Sequence, residues 1–263
     1  MPLSDIKAVV SDMDGVLWRG DQKLPGMVEF FNFMRKNNIP FALATNNSGR
    51  HTSNYIQKLA KMGVPDITAK ELVTSATATV DYLKNRYPDS ARLYVIGNEG
   101  LFQTIEEANF TITDTDVDAV VVGIDFDFTY EKARKATLLI RNHGAAFIGT
   151  NPDTSFPSPD GLVPGAGSVI GMIQIASDVD PVIIGKPARA MFDVALQRVG
   201  ASANETLMIG DRINTDIEGG QNAGLQTAMV LTGVNSRDDI DDIQPDYIFE
   251  GLPELIEAWS KQR

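Results

Sequence analysis

"VVSDMDGVLWRG", residues 9–20, carries an apolar run straight into two aspartates one position apart, followed at once by glycine. Residues 6–12 read as a short, fully buried strand. Ordinary packing has no use for paired carboxylates where such a strand emerges. In open α/β sheets, however, ligands collect in the crevice at the carboxyl ends of the strands. Asp12 and Asp14 are therefore candidate site residues.

The flanking sequence repeats the pattern. Met27, Phe30, Phe31 and Met34 recur at the i, i+3, i+4, i+7 spacing of an amphipathic helix, with Pro25 near its start. FALAT (41–45) reads as the next buried strand, and GRHTSNYIQKLAKMG (49–63) as a helix stopped by Gly63. The same rhythm returns in PVIIG (181–185), a helix carrying Phe192, Ala195, Leu196 and Val199, TLMIG (206–210), a helix around 213–222, and LQTAMVL (225–231). Strand–helix alternation favours a parallel sheet covered on both faces. Residues 1–75 and 181–263 are thus expected to form the two halves of one doubly wound α/β core domain. Residues 76–180 carry their own strands (RLYVIG, AVVVGID, AAFIGT) and helices (TYEKARKATLLIRNHG, GSVIGMIQIAS). They are expected to form an inserted α/β domain, with NPDTSFPSPDGLVPGAG (151–167) as a loop within it.

Composition narrows the function classes. The chain has 263 residues, room for one large unit or two smaller ones at roughly 150 residues per domain. A hydrophobic fraction of 43% with 22% charged residues sets it among ordinary globular proteins, away from disordered and coiled-coil classes. A formal net charge of −12 argues against a nucleic-acid partner, which is bound mainly through Lys and Arg, and equally against an acidic membrane surface. No segment approaches the roughly 18 uninterrupted apolar residues of a membrane helix, and the N-terminus has no basic region leading into an apolar stretch. The cytoplasm is the expected location. With no cysteine, disulfides, Cys-zinc sites and a thiol nucleophile are all excluded.

Four strand ends carry polar residues to one rim: Asp12 and Asp14 after the first strand, Thr45, Asn46 and Asn47 after the second, Lys186 after VIIG, and Asp211 after TLMIG. Crowded carboxylates repel one another unless a cation is present, and hard oxygen ligands without His or Cys suit Mg²⁺. Such a rim fits a phosphate monoester. A carboxylate can act as nucleophile and form an aspartyl-phosphate. Residues i and i+2 of an extended strand share a face, so Asp14 is expected near the group that Asp12 attacks. Lys186, the Thr45 hydroxyl, Mg²⁺ and nearby backbone N–H groups would stabilise charge on the transferring group. Asp216, five residues beyond Asp211, would orient Lys186 or a metal-bound water.

Taken in order, DMDG (12–15), ATNNS (44–48), GKP (185–187) and GDRINTDIEGG (210–220) resemble the motifs of the haloacid dehalogenase superfamily of aspartate-nucleophile phosphatases. The insertion between the second and third motifs resembles the capped NagD-like, or nitrophenylphosphatase-like, branch, and VTSA, TNPD and PGAGS fit that branch too. The resemblance covers nearly the whole chain. It implies a Rossmann-like core with an inserted cap, and a Mg²⁺-dependent phosphoric monoester hydrolase acting on a small phosphorylated metabolite. By it, Asp12 would be nucleophile and metal ligand, and Asp14 acid/base with its carbonyl on Mg²⁺. Thr45 and Asn46, with Asn47 beside them, would bind phosphate, Lys186 would be the charge partner, and Asp211 the carboxylate ligand. Caps of this branch can pair between subunits, which makes a homo-oligomer through the cap an expectation.

The same residues fit other readings. A phosphomutase would use the same aspartyl-phosphate, and a non-catalytic, phosphate-responsive regulator also combines acids, a Thr and a Lys around Mg²⁺. GKP on its own is a common turn, and Thr215 or Asp216 can serve as helix caps. Asp125 and Asp127 in VVVGIDFDFTYEKA imitate the first motif, but no glycine follows and Thr129 reads as a helix N-cap. PGAGS reads as a packing turn more readily than as a phosphate cradle, and TNPD as either a turn or an approach to the leaving group. The acidic run RDDIDDIQPD (237–246) lacks the spacing of a calcium loop.

Overall fold

A computed structural model describes residues 1–158 and 160–263. The chain divides into two compact units, one made of Met1–Thr45, Tyr55–Val73 and Lys186–Arg263, the other of Asn46–Asn54 and Thr74–Gly185. Its class is α/β, with a doubly wound, largely parallel core sheet and an inserted α/β unit.

Among the described residues, the first unit is built on a six-stranded sheet in the order Tyr247–Phe249, Gln226–Val230, Thr206–Gly210, Ala8–Ser11, Phe41–Thr45, Leu72–Thr74. Ala8–Ser11 runs parallel to both neighbours, with Val10 beside Met208 on one side and Ala42 on the other. All four of its residues are buried, as its apolar run requires. From this central strand the chain moves outward in one direction through Phe41–Thr45. It returns after the insertion to move outward in the other direction from Thr206–Gly210. The order therefore reverses between Ala8–Ser11 and Thr206–Gly210, which is where a doubly wound sheet opens a crevice at its carboxyl edge. Asp12 and Asp211 are the residues that follow those two strands.

The helix Met27–Lys36 buries Met27, Phe30, Phe31 and Met34, the four positions picked out by its periodicity. Phe31 meets Phe30 and Phe41 edge to face at 5.6 and 5.3 Å between ring centroids. Trp18, Trp259, Leu252 and Leu255 complete this core. The strand Tyr247–Phe249 and the helix Leu252–Ser260 have no counterpart among the sequence expectations.

The second unit holds a five-stranded parallel sheet in the order Val182–Ile183, Ala146–Gly149, Ala119–Val122, Arg92–Ile96, Thr111–Ile112. Its core joins Val120, Val122 and Phe147 to Ala136 and Ile140 of the helix Tyr130–His143 and Ile170 and Ile173 of the helix Ala166–Ser177.

Two expectations need correction. PVIIG does not join the core sheet: Val182 and Ile183 pair with Ile148 and Gly149 at the edge of the second sheet, and Val182 is exposed, as an edge strand permits. Within 151–167 the structure has an antiparallel pair, Ser155–Ser158 with Gly161–Pro164, instead of a plain loop. Pro is tolerated in a two-stranded ribbon because either strand is an edge with backbone groups not needed for pairing. Pro159, also in that stretch, lies outside the described residues. The segment 49–63 is helical over Thr52–Lys61, and 213–222 splits into a π-helical turn, Ile213–Ile217, and a short helix, Glu218–Asn222. None of the described helices is long and apolar enough to cross a membrane.

Candidate active site

The first unit gathers Asp12, Asp211, Asp216 and Lys186 at the switch point of its sheet. One carboxylate oxygen from each aspartate lies within 4.8 Å of the others, and all three residues are buried. It is the one such group of three acids among the described residues; Asp125 and Asp127 form none. The Lys186 ammonium is 2% exposed and donates to Asp12 Oδ1 at 2.5 Å, Asp216 Oδ1 at 2.7 Å and the Ala44 carbonyl at 3.1 Å. The lysine thus ties the exits of three strands, Ala8–Ser11, Phe41–Thr45 and Thr206–Gly210, to one point.

Local structure explains each placement. The Asp12 amide donates to the Ile209 carbonyl at 2.8 Å, which extends the strand pairing by one residue and fixes where its side chain leaves the sheet. In the π-helical turn Ile213–Ile217, the amides of Asp216 and Ile217 both donate to the Arg212 carbonyl, at 3.0 and 3.2 Å. Asp216 Oδ2 accepts from the Arg212 amide at 3.1 Å, so the side chain caps its own turn while Oδ1 holds Lys186. Such π turns recur at functional sites because the extra residue re-aims a side chain.

Asp211 is enclosed by backbone. Its Oδ2 accepts from the Val234 amide at 2.7 Å. Gly15 has φ +88°, and a Cβ built there would stand 2.4 Å from Asp211 Oδ2; one built on Gly233 would stand 1.8 Å away. Glycine at 15 therefore serves both the left-handed backbone and the close approach. Val234 and Gly233 were not candidates from sequence, since nothing in LTGVN (231–235) says that this loop folds back on Asp211.

The electrostatics call for a cation. Three buried carboxylates face one ammonium. Burial pushes the Asp12 carboxyl well above its ordinary value; Lys186 opposes this, while Asp216 and Asp211 add to it. Burial, with Asp216 beside it, raises Asp211 to about 6 against the opposing pull of the Val234 amide, Arg212 and Lys186. For Lys186 burial works against the charged form, but Asp12 and Asp216 outweigh it and hold the ammonium above the usual lysine value. Asp211 Oδ1, meanwhile, is buried with no hydrogen-bond partner. An orphaned carboxylate oxygen amid all-oxygen donors is the arrangement a hard divalent cation satisfies. The cluster can hold one.

The remaining candidates fall in different surroundings. The Asp14 side chain is exposed and outside the three-carboxylate group; its Oδ1 accepts from the Trp18 indole at 2.8 Å. Thr45 ends its strand and is buried. Asn46 and Asn47 belong to the second unit. There the Asn46 carbonyl accepts from Ser75 Oγ at 2.5 Å and Asn151 Nδ2 at 2.7 Å, and Asn46 Nδ2 donates to Asp153 Oδ1 at 3.1 Å. TNPD therefore holds ATNNS. Asn47 Oδ1 accepts from the Gly49 amide at 2.8 Å. PGAGS is a packing turn, with the Gly165 and Gly167 amides donating to the Thr154 and Asp153 carbonyls. Thr129 caps its helix by accepting from the Lys132 amide, and Asp125 pairs with the Lys132 ammonium at 2.7 Å.

Comparison with known proteins agrees with this geometry. The model of the haloacid dehalogenase-like hydrolases matches residues 9–111, and a second, HAD-hydrolase-like model matches residues 183–255. An acid sugar phosphatase of Staphylococcus epidermidis is 38% identical over 258 residues, 97% of this chain and 98% of that one. The crystal structure of a 4-nitrophenylphosphatase from Thermotoga maritima superposes with a TM-score of 0.91 at 34% identity, covering 97% of this chain and 98% of the other. NagD from E. coli K-12 gives 0.88 at 36% identity, again covering 97% and 98%. The chain belongs to the haloacid dehalogenase-like hydrolase family, in its NagD-like branch, and is a phosphoric monoester hydrolase.

Proposed function

We propose that the enzyme hydrolyses small phosphorylated metabolites, sugar phosphates foremost, in a Mg²⁺-dependent reaction through an aspartyl-phosphate on Asp12. The observation that carries this reading is the Lys186 ammonium bridging Asp12 and Asp216 inside a cluster of three buried carboxylates. The sugar-phosphate class comes from the name of the staphylococcal relative.

In the first half-reaction an Asp12 carboxylate oxygen attacks phosphorus, the bond from phosphorus to the leaving oxygen breaks, and Asp14 gives that oxygen a proton. In the second, water attacks the phosphoryl group, Asp14 takes the water's proton, and the bond from phosphorus to Asp12 breaks. Lys186, kept charged by its two carboxylates, holds Asp12 in place and offsets negative charge on the transferring group. Thr45, the last residue of the neighbouring strand, and Asn46 and Asn47, which follow it in sequence, would donate to phosphoryl oxygens. Asp12, the Asp14 carbonyl and Asp211 would hold Mg²⁺, which when bound supplies positive charge against the phosphoryl oxygens. Asp216 orients Lys186. By the sequence reading the chemistry belongs to a core domain of residues 1–75 and 181–263, with residues 76–180 as a cap that excludes water and confers specificity; the pairing of Val182–Ile183 with the inserted sheet moves the second boundary to Lys186.

A screen of phosphate release across sugar phosphates, nucleoside monophosphates and p-nitrophenyl phosphate tests this. Release is expected with Mg²⁺, lost in chelator, and lost in Asp12→Asn. Isomerised hexose phosphate in place of free phosphate would make the enzyme a mutase, and wild-type release from Asp12→Asn would remove Asp12 from the mechanism.

A further inference from the structure

We infer that Trp18 is the positioning residue of the proton-transfer step. This rests on Asp14 acting as acid and base, as proposed above. Trp18 is a fully buried member of the core, yet its indole N–H points out of that core to Asp14 Oδ1, at 2.8 Å. A buried indole N–H needs an acceptor, and here the acceptor is the carboxylate four residues earlier.

The backbone makes the meeting obligatory. The amides of Leu17 and Trp18 both donate to the Met13 carbonyl, at 2.8 and 3.3 Å, and the Gly15 amide donates to the Trp18 carbonyl at 2.7 Å. Asp14 and Trp18 are thereby bridged across a closed turn that needs the positive φ of Gly15. The turn is anchored from outside by Thr232 Oγ1, which donates to the Gly15 carbonyl at 2.6 Å. The ring itself is held by the Lys58 ammonium, 4.3 Å from its centroid, which also donates to the Gly20 carbonyl at 2.7 Å. Trp18 is thus a rigid donor fixed on the core, and Asp14 an exposed side chain with rotamers to choose from.

The chemical consequence concerns which oxygen works. The carbonyl oxygen of a protonated carboxyl is its better acceptor, so with the indole N–H on Oδ1 a proton carried by Asp14 favours Oδ2. Trp18 fixes the carboxyl rotation and assigns Oδ2 as the oxygen that protonates the departing alkoxide and later deprotonates water. Without the indole N–H, Asp14 keeps its chemistry but samples orientations that do not transfer the proton.

The test uses Trp18→Phe and, to keep ring shape while removing the N–H, Trp18→benzothienylalanine, in the full-length enzyme with Mg²⁺. The readout is kcat/KM, which reports the steps through leaving-group departure, for p-nitrophenyl phosphate and for glycerol phosphate. Nitrophenolate leaves without a proton, whereas an alkoxide needs one. The expected result is a fall of roughly tenfold or more for glycerol phosphate, a fraction of the full acid–base effect, with a change of less than about threefold for p-nitrophenyl phosphate. Equal losses on both substrates in the isosteric variant, or no loss on either, would overturn the assignment. Asp14→Asn, run alongside, separates the two proposals. A leaving-group-selective loss there with none in the Trp18 variants rejects the role of Trp18 alone; equal losses on both substrates in Asp14→Asn reject the acid role and the inference with it.

Discussion

Asp211→Asn tests the electrostatics of the cluster without relying on turnover. Asp211 is 1% exposed, and its carboxyl is raised from 3.8 to about 6 by burial and by Asp216. That displacement corresponds to about 3 kcal/mol of unfavourable free energy when the group is ionised in the folded, metal-free protein. The sign follows from the direction of the shift. A folded-state pKa above the unfolded one penalises folding above pH 6, and the penalty fades as pH falls from 6 towards 4. Asparagine does not titrate and carries no such penalty. Its amide oxygen can still accept from the Val234 amide, whose preference for the charged acceptor is already contained in the raised value. In chelator at pH 8 the variant should therefore be more stable than wild type by about 3 kcal/mol, roughly 6–12 °C in Tm for a chain of this size. At pH 4.5 the advantage should fall to about 1 kcal/mol. Adding Mg²⁺ should reverse the order, because a ligand that binds only the folded state stabilises by mass action and the variant lacks the oxygen proposed as a ligand. Thermal unfolding across pH, with chelator and with Mg²⁺, reads all three. A variant no more stable than wild type in chelator at pH 8, or an advantage unchanged at pH 4.5, would contradict a penalty from the buried Asp211 charge.

Three further outcomes follow from the same cluster. Gly233→Ala, whose Cβ would stand 1.8 Å from Asp211 Oδ2 without requiring a positive φ, should displace that carboxylate and raise the Mg²⁺ concentration for half-maximal activity by roughly tenfold, with far-UV circular dichroism unchanged. Lys186→Met leaves Asp12 and Asp216 buried without their shared cation; loss of one partner of a buried pair costs about 3–5 kcal/mol, so urea unfolding in chelator at pH 8 should show a loss of that order that shrinks at pH 5. Mg²⁺ affinity measured by titration calorimetry should fall as pH drops below 6, with proton release on binding, because the cation competes with protons for Asp211.

Much of this architecture was legible in the sequence, for identifiable reasons. Apolar runs such as AVV (8–10) and LMI (207–209) mark strands buried on both faces, and the spacing of Met27, Phe30, Phe31 and Met34 marks a helix face; both patterns depend on near neighbours. That Asp12 and Asp211 come together could be read from the sequence because both follow strands of the core sheet; Lys186 was placed beside them on the premise that PVIIG joins that sheet, and it reaches Asp12 and Asp216 although its strand pairs elsewhere. What depends on pairing across the fold was not. PVIIG announces a strand but not its partner, and two ladder positions beside Ile148 and Gly149 decide its sheet. The ribbon Ser155–Ser158 with Gly161–Pro164 hides in a Pro- and Gly-rich stretch, since a two-stranded edge tolerates residues that a central strand excludes. Asp216 was expected to orient Lys186 and does bond it, but its place among the three carboxylates depends on a π turn that no periodicity reveals. The Val234 amide on Asp211 and the Trp18 indole on Asp14 likewise exist only once loops have closed.

The most direct measurement is to trap the covalent intermediate. Wild-type enzyme with Mg²⁺ and substrate, quenched in acid within a turnover and reduced with borohydride, should yield homoserine at position 12 on peptide mapping, because an acyl phosphate is reduced where a free carboxylate is not. That product is expected at Asp12 and absent without substrate. Phosphate release at the wild-type rate with Asp12 never phosphorylated would contradict the aspartyl-phosphate mechanism.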